Sequence, residues 1–185
     1  VDDAELVRGI REHAYLEGDF VLRSGRRSRY YLDKYRFETR PDLLRALGER
    51  IARAVQREEP AAARLAGPEL GAVALTAAAS LASGLPFIIV RKAGKEYGTE
   101  RRIEGVFEPG EVVCLVEDVV TTGGAAADAV EAVRAAGLLC RTAICVVDRE
   151  EGGVEGLAAV GVRLAPLFRT GELLRTHEMP ANPHG

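Results

Sequence analysis

Apolar positions along the chain switch between a helical period and short unbroken runs. Leu6, Val7, Ile10 and Ala14 recur at helical spacing behind Asp2, Asp3 and Glu5, acids that favour a helix start, so a packing helix opens the chain. From Phe20 to Phe37, aromatic and apolar residues are interleaved with Arg23, Arg26, Arg27, Arg29, Lys34 and Arg36 around Ser24-Gly25, the pattern of an amphipathic hairpin with a basic face. Thr39 and Pro41-Asp42 open a second helix with the stripe Leu43, Leu44, Leu47, Ile51, Ala54 and Val55, stopped at Glu58-Glu59-Pro60. A short strand at Arg64–Ala66, a turn from Gly67 to Gly71, an alanine-rich helix to Ser83 and a strand at Phe87–Val90 follow.

The run Val112–Val116 is β-prone without alternation, which suits a strand covered on both faces of a parallel sheet, and Glu117 and Asp118 mark its exit from the core. An alanine-rich helical pattern then runs to Ala136, with Gly137 as its stop. Arg141–Val147 is the next strand, Gly153–Gly161 a short helix, Val162–Phe168 a last strand and Thr170–Arg175 a final helical turn. Strands alternating with helices predict an α/β fold: a mainly parallel central sheet flanked by helices, with its site at the carboxyl ends of the strands. The expected organisation is one domain over 1–185. Residues 1–40 form a helix and small N-terminal hood, 41–175 the core, 91–105 a mobile loop, and 176–185 a Pro-rich tail that frays.

Composition narrows the class. Hydrophobic residues make up 47% and charged ones 29%, and 25 Lys plus Arg against 28 Asp plus Glu give a net charge of −3, so no nucleic-acid partner is expected. Cys114, Cys140 and Cys145 sit inside apolar runs without metal-ligand spacing and read as small buried hydrophobes of a reducing, cytoplasmic compartment. The acidic, amphipathic N-terminus is the wrong chemistry for a signal peptide. Leu70 to Val90 carries no charge, but Ser80, Ser83, Gly84 and Pro86 break it, so a buried helix and strand are expected rather than a membrane span.

The candidate chemistry centres on residues 117–125. Thr121, Thr122, Gly123 and Gly124 combine short hydroxyls with glycines that let backbone N–H groups crowd around an anion, just before a helix start. Glu117 and Asp118 would repel phosphate, yet they can accept hydrogen bonds from neighbouring sugar hydroxyls. A ligand with ribose hydroxyls and a 5′-phosphate satisfies both halves. The stretch differs from a P-loop, which has a Lys after its glycines, and from a dinucleotide fingerprint, which has no acidic pair before its turn. Residues 91–105 are charged and glycine-punctuated, cannot bury themselves, and leave a strand of the same sheet, so they should open on the same rim.

The order Glu-Asp, two hydrophobics, Thr-Thr-Gly-Gly resembles the phosphoribosyl-pyrophosphate (PRPP) signature of type I phosphoribosyltransferases. Phe20-x-Leu22-Arg23-Ser24-Gly25-Arg26-x-Ser28-x-Tyr30 is similar to the hood of orotate phosphoribosyltransferases, RKxxKxYGTxRxIEG from Arg91 to their catalytic loop, and Asp148-Arg149-x-x-Gly152-Gly153 to a turn of the same family. The resemblance implies that Glu117 and Asp118 hold the ribose, and that Val119, Val120, Thr121, Thr122, Gly123, Gly124 and Ala125 hold the 5′-phosphate. Arg91, Lys92, Lys95 and Tyr97 would meet the pyrophosphate, and Arg23, Tyr30, Tyr31, Thr121 and Arg149 the orotate. Arg23 stands where many relatives carry Lys, Leu32 where some carry Phe, and Tyr97 where others place His. A Tyr hydroxyl has a much higher pKa than His, so Lys95 is the first choice for the catalytic role, supported by Arg91, Lys92, Glu117 and Asp118.

By the same resemblance, the reaction joins orotate to PRPP, giving orotidine 5′-monophosphate and pyrophosphate in de novo pyrimidine synthesis. Mg²⁺ would be held mainly by PRPP, with contact to Asp118 through water left open, and a homodimer would send loop 91–105 into the neighbouring site. Two other readings stand beside it: a transferase for another base, and a non-catalytic, PRPP-sensing regulator on the same fold. The Gly67–Gly71 turn has no lysine, so any pyrophosphate contact there must come from backbone.

Overall fold

The computed structural model describes residues 3–21, 25, 27–92 and 102–175. Helix α1 (Asp3–Ala14) runs directly into a hairpin of β1 (Tyr15–Val21) and β2 (Arg27–Leu32). The short α2 (Tyr35–Glu38) and α3 (Pro41–Glu58) lead to β3 (Arg64–Pro68), α4 (Gly71–Ser83), β4 (Phe87–Val90) and β5 (Ile103–Glu104). The second half comprises β6 (Val112–Val120), α5 (Gly124–Ala135), β7 (Leu139–Asp148), α6 (Gly153–Ala158), β8 (Arg163–Arg169) and α7 (Thr170–Arg175). Among the described residues the main sheet is six-stranded in the order β5-β4-β3-β6-β7-β8, parallel throughout except where β5 pairs antiparallel with β4.

The central strand explains the two-layer cover. Cys114 and Val116 of β6 enter a core with Leu6, Ile10, Leu47, Ile51 and Leu75 from α1, α3 and α4. Val113 and Leu115 enter a second core with Val130, Val133 and Leu157 from α5 and α6. Successive side chains of a strand point to opposite faces, so a run without polar alternation is what two covered faces require. Gly48 of α3 sharpens the packing on the first face: an added Cβ would come within 2.7 Å of Ala78, so the glycine lets α3 and α4 approach backbone to backbone.

Several sequence expectations change in detail: β3 extends to Pro68, α6 ends at Ala158 and β8 shifts to Arg163–Arg169. The hairpin starts at Tyr15 rather than Phe20 and ends at Leu32, and Phe37 lies fully buried under α1 and α3 instead of on a hairpin face. β6 continues through Glu117 and Asp118 to Val120 instead of leaving the core at the acids, which are only 8% and 3% exposed. The 91–105 stretch is not all loop, because Ile103 is buried and Ile103–Glu104 adds an edge strand through Val90 and Ile89. β7 spans Leu139–Asp148, longer at both ends than Arg141–Val147. Arg23, Lys95, Tyr97 and the tail 176–185 lie outside the described residues. Among the described residues, no helix is long and apolar enough to cross a membrane, and Leu70–Val90 divides into α4 and β4.

Candidate active site

A cleft of about 600 Å³ opens where β3, β4 and β6 end. Its floor is the end of β6: Glu117, Asp118, Val119, Val120 and, just beyond, Thr121. Gly123 and Ala125 continue the wall into α5. Arg91 and Lys92 enter from the end of β4, and Tyr31 and Lys34 from the hood.

The anion cradle has a structural cause. Gly123 caps α5 with φ of 84°, a left-handed conformation that favours glycine, and no side chain caps that helix start. The first turn of α5 carries no acid, so its N–H groups and positive dipole end face the cleft rim uncompensated. Gly153, at the end of the Asp-Arg-x-x-Gly-Gly turn, and Gly156 of α6 hold the cradle from behind. A Cβ on Gly153 would lie 2.5 Å from Val120 Cγ1 and 2.9 Å from the Thr121 carbonyl, and one on Gly156 would collide with the Thr122 carbonyl. Thr122 and Gly124 are exposed but do not line the cleft as Thr121 and Gly123 do.

The carboxylates sit in contrasting surroundings. Asp118 Oδ2 accepts from Lys34 Nζ at 2.5 Å, and Asp118 Oδ1 accepts from the Val119 N–H at 2.5 Å. Burial alone would favour a neutral Lys34 amine, but the Asp118 carboxylate overrides it and holds the lysine above its ordinary value. Burial, reinforced by the Asp118 charge, pushes Glu117 up to about 8, so near neutral pH it is a protonated acid able to donate as well as accept. Glu38 of α2 is pushed up to about 8 by burial and then by Asp118. Its Oε1 meets no donor among the described residues, and two adjoining carboxyl groups can bond only if one keeps its proton.

The cationic wall is partly committed. Arg91 reaches Glu69 at 3.7 Å and Glu104 at 3.4 Å, while the Lys92 N–H donates to Glu69 Oε1 at 2.7 Å. Arg102 forms a two-pronged pair with Asp128 of α5, at 3.2 and 2.5 Å, and donates to the Arg91 carbonyl at 3.2 Å. Both ends of the segment carrying Lys95 are thereby anchored beside the cradle.

The hood residues divide. Tyr31 faces the cleft and packs on Phe20, with ring centroids 5.6 Å apart. Tyr30 lies instead against Tyr15 at 5.4 Å and beneath the Arg149 guanidinium at 5.2 Å, away from the cleft lining. Arg149 is tied to β6 through its N–H to the Val120 carbonyl at 2.8 Å, its side chain pairs with Glu151 at 3.1 Å, and its Nε is buried without a partner among the described residues. The site residues missed in the sequence are Lys34 and Glu38, and within the Gly67–Gly71 turn, considered only for backbone contacts, the Glu69 carboxylate and the bare Cα of Gly71. Lys34 looked like one more cation of the hairpin's basic face, and its only local mark was its place immediately after Asp33 at the hairpin's end.

Fold and site together define a protein built to hold a phosphorylated ribose at the carboxyl ends of a parallel sheet, and comparison with known proteins narrows this class. No family model matches the chain. It is 50% identical over 174 residues to the orotate phosphoribosyltransferase of Methanocella arvoryzae, covering 93% of this chain and 97% of that one. Among solved structures it is similar to the orotate phosphoribosyltransferase of Aeropyrum pernix (TM-score 0.83, 33% identity, 92% of this chain and 97% of that chain). It is also similar to that of Mycobacterium tuberculosis in complex with PRPP (TM-score 0.76, 30% identity, 92% and 97%). The chain belongs to the orotate phosphoribosyltransferase family.

Proposed function

We propose that this protein transfers the 5-phosphoribosyl group from PRPP to orotate, giving orotidine 5′-monophosphate and pyrophosphate on the de novo route to UMP. The observation that carries the reading is one cleft in which the Glu117-Asp118 floor, the glycine-capped start of α5, the Arg91-Lys92 wall and the hood's Tyr31 converge.

In the reaction, the bond from C1′ to pyrophosphate breaks as a ring nitrogen of anionic orotate bonds to C1′, through an oxocarbenium-like state. No protein nucleophile is required. Thr121 and the N–H groups at the start of α5 hold the 5′-phosphate, and Glu117 and Asp118 take the ribose hydroxyls. Asp118 is ion-paired with Lys34, so it orients the sugar more than it supplies free negative charge. Arg91, Lys92 and Lys95 meet the departing pyrophosphate, a developing charge best met by cations already in place. Tyr31 covers one face of the base, and Arg149, stacked over Tyr30 outside the cleft lining and set by its backbone bond to Val120, has to turn from Glu151 to reach the orotate.

Mg²⁺ fits this site as a cation carried by substrate. The carboxylates that line the cleft are Glu69, Glu117, Asp118 and Asp128; Arg91 and the Lys92 N–H take Glu69 and Arg102 takes Asp128, which leaves Glu117 and Asp118 at the floor. That set would suit an ion that keeps waters and phosphate oxygens, with Asp118 as the residue that would hold it from the protein side. When bound, Mg²⁺ neutralises pyrophosphate charge.

A homodimer completes the reading. Leu70, Ala74, Ala77 and Leu81 recur on one side of α4, with Leu81 90% and Leu70 72% exposed, and Leu70 stands at the cleft itself. An uncharged row ending at the cleft suits a second copy whose 91–105 loop enters this site. A cytoplasmic enzyme with buried, reduced thiols accords with this function.

The test is loss of orotate absorbance with purified protein, PRPP and Mg²⁺, beside Lys95→Ala and a panel of other bases. Orotate-specific turnover that falls on the order of 10²-fold in the variant supports the reading. PRPP binding without orotate turnover would sink it.

A further inference from the structure

Lys34 belongs by sequence to the hood and by contact to the ribose floor. Its ammonium bonds Asp118 Oδ2 across 84 positions of chain, and it stands at the N-cap of the short helix α2, three residues after Tyr31. Lys34 Nζ donates to Asp118 Oδ2 and the Val119 N–H to Oδ1, with the protonated Glu38 carboxyl beside them. The backbone donor is fixed by β6, and the lysine is the cation that holds the other oxygen from turning. Behind it Gly71 leaves no room to retreat, since an added Cβ would overlap Oδ2 and sit 2.7 Å from Lys34 Nζ. Glu38, the third acid at this point, reaches Asp118 from α2 as a protonated neighbour rather than a competing charge.

We propose that Lys34 is a positioning residue: it fixes the Asp118 carboxylate against Gly71 and thereby aligns the sugar subsite on β6 with the base subsite carried by the hood. The inference rests on the transferase reading and extends it, because it makes the hood part of the sugar-binding machinery as well as a cover for the base. A lysine serving stability alone would matter to melting temperature and leave the two subsites independent.

The test is a double-mutant cycle of Lys34→Met and Asp118→Asn, read on kcat, on KM for each substrate and on PRPP affinity, with melting temperatures alongside. Lys34→Met is expected to lower kcat on the order of ten- to a hundredfold, the usual effect of removing a hydrogen bond to a charged group. In the Asp118→Asn background the same change should do little, because the group it positions is gone. Lys34→Arg should recover most of the loss, since a guanidinium still donates to Oδ2. Losses that multiply independently, or a Lys34→Met protein with wild-type kcat and only a lower melting temperature, would overturn the proposal. Wild-type protein that binds PRPP but ignores orotate would sink the functional reading instead, and the cycle read on PRPP affinity would still decide the role of Lys34.

Discussion

The Asp118 carboxylate rests directly on the backbone of Gly71, with no space for a side chain between them. Gly71 is the first residue of α4, so the negative charge from β6 lies at the positive end of that helix, where a carboxylate is stabilised. Two elements far apart in sequence meet there because one of them lacks a Cβ.

Gly71→Ala follows from this contact. Alanine has the better helix propensity, by about 1 kcal/mol, and on propensity alone the variant would be more stable. Overpacking against Asp118 and Lys34 costs about 1–3 kcal/mol and should win, lowering the melting temperature. Catalytic efficiency with PRPP should fall further than the stability loss explains. Thermal melts and steady-state kinetics on one preparation check both, and an active, stabilised variant would contradict the contact.

Glu38 and Glu117 give stability a pH dependence of known sign. Both are raised from 4.5 to about 8, so the native chain keeps protons that the unfolded chain releases. Their contribution is complete below 4.5 and is lost as pH rises through about 8. Glu38→Gln preserves the shape and removes one titration, so its melting temperature should decline less than wild type between about pH 5 and pH 8. Equal declines would place the proton elsewhere.

Gly156→Ala probes the cradle from outside the cleft. Its methyl would collide with the Thr122 carbonyl and push the 121–123 turn toward the phosphate position. A misplacement of about 1 Å at such a distance costs up to about 100-fold in rate, so KM for PRPP should rise clearly while the orotate contacts persist. Steady-state kinetics with each substrate varied in turn separate the two.

Leu81→Asp tests the dimer face. A carboxylate at a position 90% exposed should cost little stability in an isolated chain but should block burial against a second copy. Sedimentation is expected to show a dimer for wild type and a monomer for the variant, with activity falling if the neighbouring loop completes the site. Unchanged association would move the interface elsewhere.

What the sequence revealed depended on how local the cause was. The stripe from Leu43 to Val55 and the run Val112–Val116 predicted α3 and the core of β6 because helical period and two-sided burial are written in neighbouring residues. The continuation of β6 through Glu117 and Asp118 was hidden, since burying two acids is costly unless partners arrive. Those partners come from Lys34 and from the space at Gly71, neither of which is near the acids in sequence. Ile103–Glu104 was hidden for the opposite reason: a strand so short has no period, and only β4 beside it makes it one. Likewise the separation of Tyr30 from Tyr31 follows from strand alternation within β2, although both aromatics looked equivalent as candidates for the base.

The cysteines, inert in the chemistry, turn the sheet into its own reporter. Cys114, Cys140 and Cys145 are all buried in β6 and β7, and burial pushes each thiol well up, Cys140 to about 11. A thiolate is the species that alkylating reagents attack, and these three can form it readily only when β6 and β7 come apart. The rate of labelling therefore clocks opening of the strands that carry Asp118 and lead into Arg149, and bound substrate should slow that clock.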